Sequence, residues 1–240
     1  MIALLGSRRK GNTYGLLVRI QEALAASGTD MEIIDLYDLD IRECIGCQRC
    51  LTHDTCPLED DAAMLMQKLV QTDGIILASP VYLRQVSGRM KSFIDRTCRW
   101  YHRPVLTSKP VLVVATTMGS GLKDTLGYLQ SVAGQWGAIA AGGIGCDVRT
   151  MNRNIESKEL APFIKMMQNP RSHVVSVSEI VDFEVQKSLA AFLGGIDAAY
   201  WAETGWSNAP YYYPCRIRLP QKIVGTAFGT MLRSKMGTKE

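Results

Sequence analysis

The chain has 240 residues, 47% of them hydrophobic and 21% charged, enough apolar material for a substantial core. A net charge of +4 is too modest for a nucleic-acid surface, and no run of about eighteen apolar residues spans a membrane. In MIALLGSRRKGNT the charges follow the apolar run, so no signal peptide is expected, and the expected address is cytoplasmic.

The pattern of apolar residues predicts a strand over 2–5, followed by a helix from Thr13 that places Leu16, Leu17, Ile20 and Leu24 on one face. A second strand is expected over 31–36. After a cysteine-rich loop, Asp60 or Asp61 is expected to cap a helix carrying Met64, Leu65 and Leu69. Residues 74–78 read as a buried strand, with Ser79-Pro80 expected in a loop because proline restricts the residue before it. A helix over 87–96, a strand over 109–115, a glycine loop over 118–121, a helix over 122–135 and a strand over 138–144 follow. Residues 156–168 and 178–203 look helical.

Continuous apolar strands alternating with amphipathic helices imply an α/β fold: a parallel sheet covered on both faces. Five such strands with right-handed crossovers suit a doubly wound, flavodoxin-like sheet of order 2-1-3-4-5. We expect this domain over 1–200, with a helical C-terminal extension over 201–240. From Cys215 onward there are six basic residues and one acid, so the tail alone carries +5. Trp201, Trp206 and Tyr211-Tyr212-Tyr213 form an aromatic cluster, and Ile223, Val224, Ala227, Phe228, Met231 and Leu232 recur at helical spacing. The expected role is a helix docked on its own domain or a sister subunit; an acidic membrane surface and a cover over a ligand are the alternatives.

The first loop, Gly6-Ser-Arg-Arg-Lys-Gly-Asn-Thr13, leads straight into a helix, whose free amides and positive dipole end suit phosphate. Ser7, Asn12 and Thr13 add donors, and Arg8 or Lys10 adds charge. Asn12 stands where a P-loop needs lysine, and no G-x-G-x-x-G follows the strand, so a monophosphate fits better than a nucleoside triphosphate or dinucleotide. Ser79-Pro80-Val81-Tyr82-Leu83 and Thr116-Thr117-Met118-Gly119-Ser120-Gly121 are expected at the same edge of the sheet. One supplies an aromatic ring and amides, the other close backbone approach, and together the three loops suggest flavin mononucleotide (FMN). His53, His102 and His173 are scattered and are expected to be surface or packing residues.

These loops, with Val86-Ser87-Gly88 and 91–96, resemble the NADPH-dependent FMN reductase family over about 1–145. With CIGCQRCLTHDTCP and Asp60-Asp61 the resemblance narrows to the iron–sulfur flavoprotein branch. It implies that Ser7, Arg8, Asn12 and Thr13 hold the phosphate. Pro80, Val81, Tyr82 and Leu83 would then line the isoalloxazine, and Thr117, Gly119 and Gly121 flank the ring or ribityl chain. It also implies a homodimer or homotetramer. Leu83-Arg84 departs from the aromatic-then-small pair common after that tyrosine. The expected activity is an FMN-dependent oxidoreductase with NAD(P)H as donor and a quinone or small electrophile as acceptor. The alternative is an electron-transfer protein serving a ferredoxin-like partner.

Cys44, Cys47, Cys50 and Cys56 follow the spacing C-x2-C-x2-C-x5-C. Three cysteines three apart resemble a bacterial ferredoxin run more than the paired C-x2-C of a zinc ribbon, so a [4Fe–4S] cluster is expected. Zinc and unmetallated thiols remain the alternatives. The loop follows the second strand, which places it at the expected FMN end, beside its own flavin or a neighbour's. Cys98, Cys146 and Cys215 are expected to be buried bystanders.

Overall fold

The computed structural model describes residues 1–237. Its first half alternates strand and helix: β1 (Ile2–Leu5), α1 (Asn12–Ala25), β2 (Glu32–Asp35), α2 (Arg49–Thr52), α3 (Ala62–Gln71), β3 (Ile75–Pro80) and α4 (Gly88–Arg96). There follow α5 (Arg99–His102), β4 (Pro110–Thr116), α6 (Leu122–Gln135), β5 (Ile139–Cys146), α7 (Ser157–Gln168), α8 (Val177–Leu193), α9 (Gly195–Glu203) and α10 (Leu219–Met236). The five strands are parallel in the order β2-β1-β3-β4-β5, as the sequence predicts.

β1, β3 and β4 are the inner strands and are buried along nearly their whole length, which is why they read as unbroken apolar runs. One side of the sheet packs Leu4, Leu77 and Val113 against α3, α4 and α6. The other packs Leu5, Ala78 and Val114 against α1 and α7. Each fully buried Leu or Val contributes about 1.5–3 kcal/mol. A third cluster, drawn from Val175 to Ile217, joins Phe183 of α8 to Trp201, Trp206, Tyr211 and Tyr212. Those aromatic rings meet edge to face or tilted, with Phe183 and Tyr212 centroids 4.8 Å apart. The aromatic cluster of the tail is therefore buried inside this chain and does not offer a wet surface.

Two elements depart from the predicted boundaries. β3 runs through Ser79 to Pro80, which pairs with Thr116. A proline is tolerated at the strand's last position because the amide it lacks is not needed there. The helical stretch expected over 178–203 breaks into α8 and α9 at Gly194 and Gly195, both with positive φ (69° and 57°). The chain turns at those two glycines.

α10 lies on α8 through its two glycines. A Cβ at Gly225 would come within 2.5 Å of Ile180, and one at Gly229 would collide with the Glu184 carboxylate. Small residues let the two helices approach, while Leu219, Ile223 and Met231 face outward. Among the described residues no helix is long and apolar enough to cross a membrane.

Candidate functional site

The loops after β1, β3 and β4 enclose a cavity of about 500 Å³ at the carboxyl ends of the strands. Of the residues singled out from the sequence, Ser7, Asn12, Thr13, Pro80, Val81, Tyr82 and Thr117 line it. Arg8, Lys10, Leu83, Gly119 and Gly121 do not. Lys10 instead lies over the Tyr14 ring, 5.6 Å from its centroid. Leu83 is fully exposed. Arg9, Gly11, Thr116, Met118 and Met151 line the cavity without having been singled out. Arg9 sits in the same basic run as Arg8. Met151 lies beyond β5 and has no local signature of a site.

Several constraints shape this cavity. A Cβ at Gly6 would meet Ser87 Oγ at 2.8 Å and Met90 Cβ at 2.9 Å, so glycine lets the first loop press against α4. Ser87 caps α4, its hydroxyl accepting from Met90 N at 3.2 Å. Thr13 and Thr116 hydroxyls share a 2.6 Å hydrogen bond and tie the first loop to the end of β4. Thr117 Oγ1 accepts from Gly119 N and donates to Ser120 O, both at 3.1 Å, which folds the glycine loop on itself. α1 begins at Gly11 with no side-chain cap, so its first-turn amides are open to an anion in the cavity.

The loop after β3 makes a tight turn in which Tyr82 and Gln85 exchange backbone hydrogen bonds of 2.8 and 3.0 Å. Its two central residues, Leu83 (φ 48°) and Arg84 (φ 66°), are both left-handed, a conformation that favours glycine or asparagine. The strain is held by contacts: Arg84 pairs with Asp124 at 2.5 Å, and its carbonyl accepts from Thr125 Oγ1 at 3.3 Å. Gly121 (φ 86°) lies so close that a Cβ there would sit 2.6 Å from Arg84 Cα. Gly121 therefore shapes the cavity from behind its wall.

The cysteine loop is built differently, and in another place. It packs at the far end of α4 and against α5. Nine residues of helix, about 13 Å at the usual rise, separate that end from Ser87. The expectation that it sits at the same end as the phosphate loop is thus corrected: Asp60, Arg96 and Arg103 draw it down along α4. Arg96 and Asp60 form a buried ion pair, their side chains 2% and 0% exposed. Asp60 also accepts from the amides of Arg42 (2.9 Å) and Ala62 (3.1 Å). Burial pushes its carboxyl up, but the Arg96 and amide hydrogen bonds outweigh that and hold it below the ordinary 3.8. Arg103 donates to Cys50 O at 2.5 Å, and Arg99 to Asp54 O at 2.8 Å.

Cys44, Cys47, Cys50 and Cys56 all line one small cavity of about 30 Å³, space for roughly one water. Arg96 donates to Cys56 Sγ at 3.3 Å, while its Nε is buried with no partner. Burial raises the Cys50 thiol, and Cys98, Cys56, Cys44 and Cys47 push it the same way. Among the described residues no three His, Cys, Asp or Glu side chains gather closely enough to hold a metal ion. Of the three expected bystanders, Cys146 is buried and Cys215 half-buried, but Cys98 is exposed. Cys98 and Cys44 share the lining of a neighbouring cavity of about 490 Å³ with Tyr101, Tyr128 and Trp136.

His102 Nδ1 lies 3.1 Å from Asp197, and His173 Nε2 2.9 Å from Glu179. Neither lines the cavity at the strand ends.

Comparison with known proteins agrees with this geometry. An iron–sulfur flavoprotein of Archaeoglobus fulgidus is 35% identical over 143 residues, 59% of this chain and 65% of that one. An iron–sulfur flavoprotein of Methanocaldococcus jannaschii is 40% identical over 98 residues, 40% of this chain and 51% of that one. A quinone reductase of Escherichia coli is 30% identical over 125 residues, 50% of this chain and 60% of that one. The chain thus spans between about half and two thirds of the length of these relatives. Among solved structures, RosB with bound 8-demethyl-8-formylriboflavin-5'-phosphate superposes with a TM-score of 0.54 at 13% identity, covering 91% of this chain and 90% of that one. A flavone reductase superposes at 0.50 and 16% identity, covering 71% and 60%. At such identities these two show the fold alone. The family model for NADPH-dependent FMN reductase matches residues 1–145, the part that carries the sheet and all three cavity loops, and the chain belongs to that family.

Proposed function

We propose that this protein is an FMN-dependent oxidoreductase. The observation that carries the reading is the uncapped start of α1 opening into the 500 Å³ cavity beside the ends of β3 and β4. Ser7, Asn12 and Thr13, with the amides after Gly11, hold the phosphate. Arg9, which lines the cavity, adds charge, with Arg8 and Lys10 beside it on the same loop. Pro80, Val81 and Tyr82 line the ring, with Leu83 at the tip of the same turn, and Thr117 and Gly119 flank it while Gly121 fixes the turn from behind. Bound there, FMN supplies hydride and single-electron transfer, and the protein binds, orients and tunes it. NAD(P)H is the proposed donor, and a quinone or small electrophile the acceptor.

The cysteine quartet is proposed to hold a [4Fe–4S] cluster. The donor set is entirely sulfur, which suits iron–sulfur or zinc more than hard cations. Burial first, and then the neighbouring cysteines, raise the Cys50 thiol toward the protonated form, which a cationic centre would offset. The orphaned Arg96 Nε beside Cys56 is a donor such a group would satisfy. The cavity is small, so loading the site requires the loop to spread. Exposure of Cys44, Cys47 and Cys56 favours a second reading, in which the loop meets a ferredoxin-like protein and the chain passes electrons without a substrate of its own.

Acid release and chromatography of the flavin after anaerobic purification test the first reading: FMN is expected, and FAD or no flavin after reconstitution contradicts it. Iron, acid-labile sulfide and zinc analysis, with electron paramagnetic resonance after reduction, test the second site. Zinc without sulfide, or neither metal after reconstitution, removes the cluster. Rapid bleaching by NAD(P)H separates an enzyme from a protein reduced only by a low-potential protein donor.

A further inference from the structure

α10 carries two apolar sides. Its inner side meets α8 through Gly225 and Gly229, where the missing side chains let the helices touch. Its outer side carries Leu219, Ile223, Ala227 and Met231, which recur every fourth residue and so follow one stripe along the helix. Leu219 is 70% exposed, Ile223 60% and Met231 42%, with Val224 at 37% beside them. A helix that has buried one side in its own domain needs no second apolar side facing water. The charges around the stripe are all of one sign. Arg216 and Arg218 lead into the helix, Lys222 and Arg233 flank the stripe on one side, and Lys235 flanks it on the other. From Thr204 to Gly237 there is no acidic residue. Arg233 meets Glu184 of α8 at 3.3 Å, but Arg216, Arg218, Lys222 and Lys235 have no carboxylate partner among the described residues.

We infer that the outer side of α10 docks on an anionic membrane surface. The helix lies flat in the headgroup layer, its stripe toward the acyl chains and its cations on the lipid phosphates and carboxylates. Charge chooses this occupant. A second copy of the chain would present the same patch across a two-fold contact and set like cations against each other. An anionic bilayer offers negative charge with an apolar layer just beneath it, and each cation held near it raises affinity about fivefold. The helix is already folded on α8, so docking carries no cost of helix formation. α10 is not apolar enough to span a bilayer, so docking is reversible and sensitive to salt. None of these residues lines the cavity at the strand ends or belongs to the cysteine loop, so the inference stands apart from the flavin and cluster readings.

The test is co-sedimentation of the full chain with vesicles of phosphatidylcholine, alone or mixed with about 30% phosphatidylserine. Binding to the mixed vesicles at low salt is expected, about tenfold or more tighter than to phosphatidylcholine alone. Raising salt from about 0.05 to about 0.5 M should weaken it about tenfold. Ile223→Asp, and separately Lys222→Glu with Lys235→Glu, should each weaken it about tenfold or more with unchanged circular dichroism. If Ile223→Asp fails to fold, Leu219→Asp, at a site 70% exposed, takes its place. No co-sedimentation with the mixed vesicles, equal binding to the uncharged ones, or full binding by the aspartate variant each overturns the inference. Soluble polyglutamate bound as tightly as the mixed vesicles would overturn it in favour of an acidic protein. A lipid-free dimer that Ile223→Asp dissociates in light scattering would overturn it in favour of a second copy.

Discussion

The two ends of α4 are built on different principles. At Ser87 the cavity is made from strand ends, backbone amides, glycines and short hydroxyl bridges. At Arg96 the cysteine loop is pinned by arginines that reach across dozens of residues to a carboxylate and to carbonyls. The first kind of site is rigid because the sheet beneath it is rigid. The second is only as rigid as a few buried ion pairs, which would suit a loop that has to spread for the proposed cluster. Removing one partner of a buried pair is costly, whereas replacing both by apolar groups is often tolerated.

The largest expected effect therefore comes from Asp60→Asn, which leaves the Arg96 guanidinium buried without its counter-charge. A loss of about 3–5 kcal/mol is expected in urea unfolding. Cys56 should label faster with a thiol reagent, while flavin affinity per folded molecule holds. Equal labelling of Cys56 in the variant and the parent would break the contrast between the two ends. The double change Arg96→Met with Asp60→Leu should recover most of the stability.

Next comes Gly121→Ala. Its φ of 86° and the 2.6 Å approach to Arg84 Cα force the turn at Leu83-Arg84 to move. A cost of about 1–3 kcal/mol is expected, read as weaker FMN binding with unchanged thiol labelling. Asn12→Asp should act in the same place by charge alone. One like charge near a phosphate at the surface costs about 1 kcal/mol, a fivefold loss of FMN affinity that high salt reduces. Unchanged affinity would take Asn12 out of the phosphate site.

The smallest effect is one of pH. The Asp60 carboxyl is held below 3.8 in the folded protein, so its contribution is fully present above that ordinary value. It is lost only as pH falls through the lower folded value. Labelling of Cys56, normalised at each pH to that of a free thiol, should stay flat from pH 6 to about 4 and rise below that. A rise already between pH 6 and 5 would assign the loop's hold to some other group.

The sheet, its order and its three ligand loops were legible because each is a local pattern: apolar runs of strand length, a Gly-to-Asn turn into a helix, glycines after a strand. Seven of the twelve residues singled out for the flavin line the cavity at the strand ends. Arg8 and Lys10 do not, because a run of charges does not say which member turns inward. Met151 could not be found, since it lies in the connection after β5, outside the three loops read as ligand loops. The cysteines were visible as a motif, but their location was not. The Arg96–Asp60 pair joins residues 36 apart, and no local spacing announces it. The break at Gly194-Gly195 was signalled by the two glycines, which the long apolar pattern around them outweighed.

One link crosses the whole molecule. Arg103, which holds the Cys50 carbonyl, is paired on its other side with Asp197 of α9. Asp197 is 3% exposed and also meets His102. α9, which straddles the boundary expected between the domain and its C-terminal extension, is thus mechanically in series with the thiols. A proteolytic nick or a shift of α9 would slacken Arg103 first and the Cys50 carbonyl next. Damage far out in the chain would register as a change in sulfur reactivity.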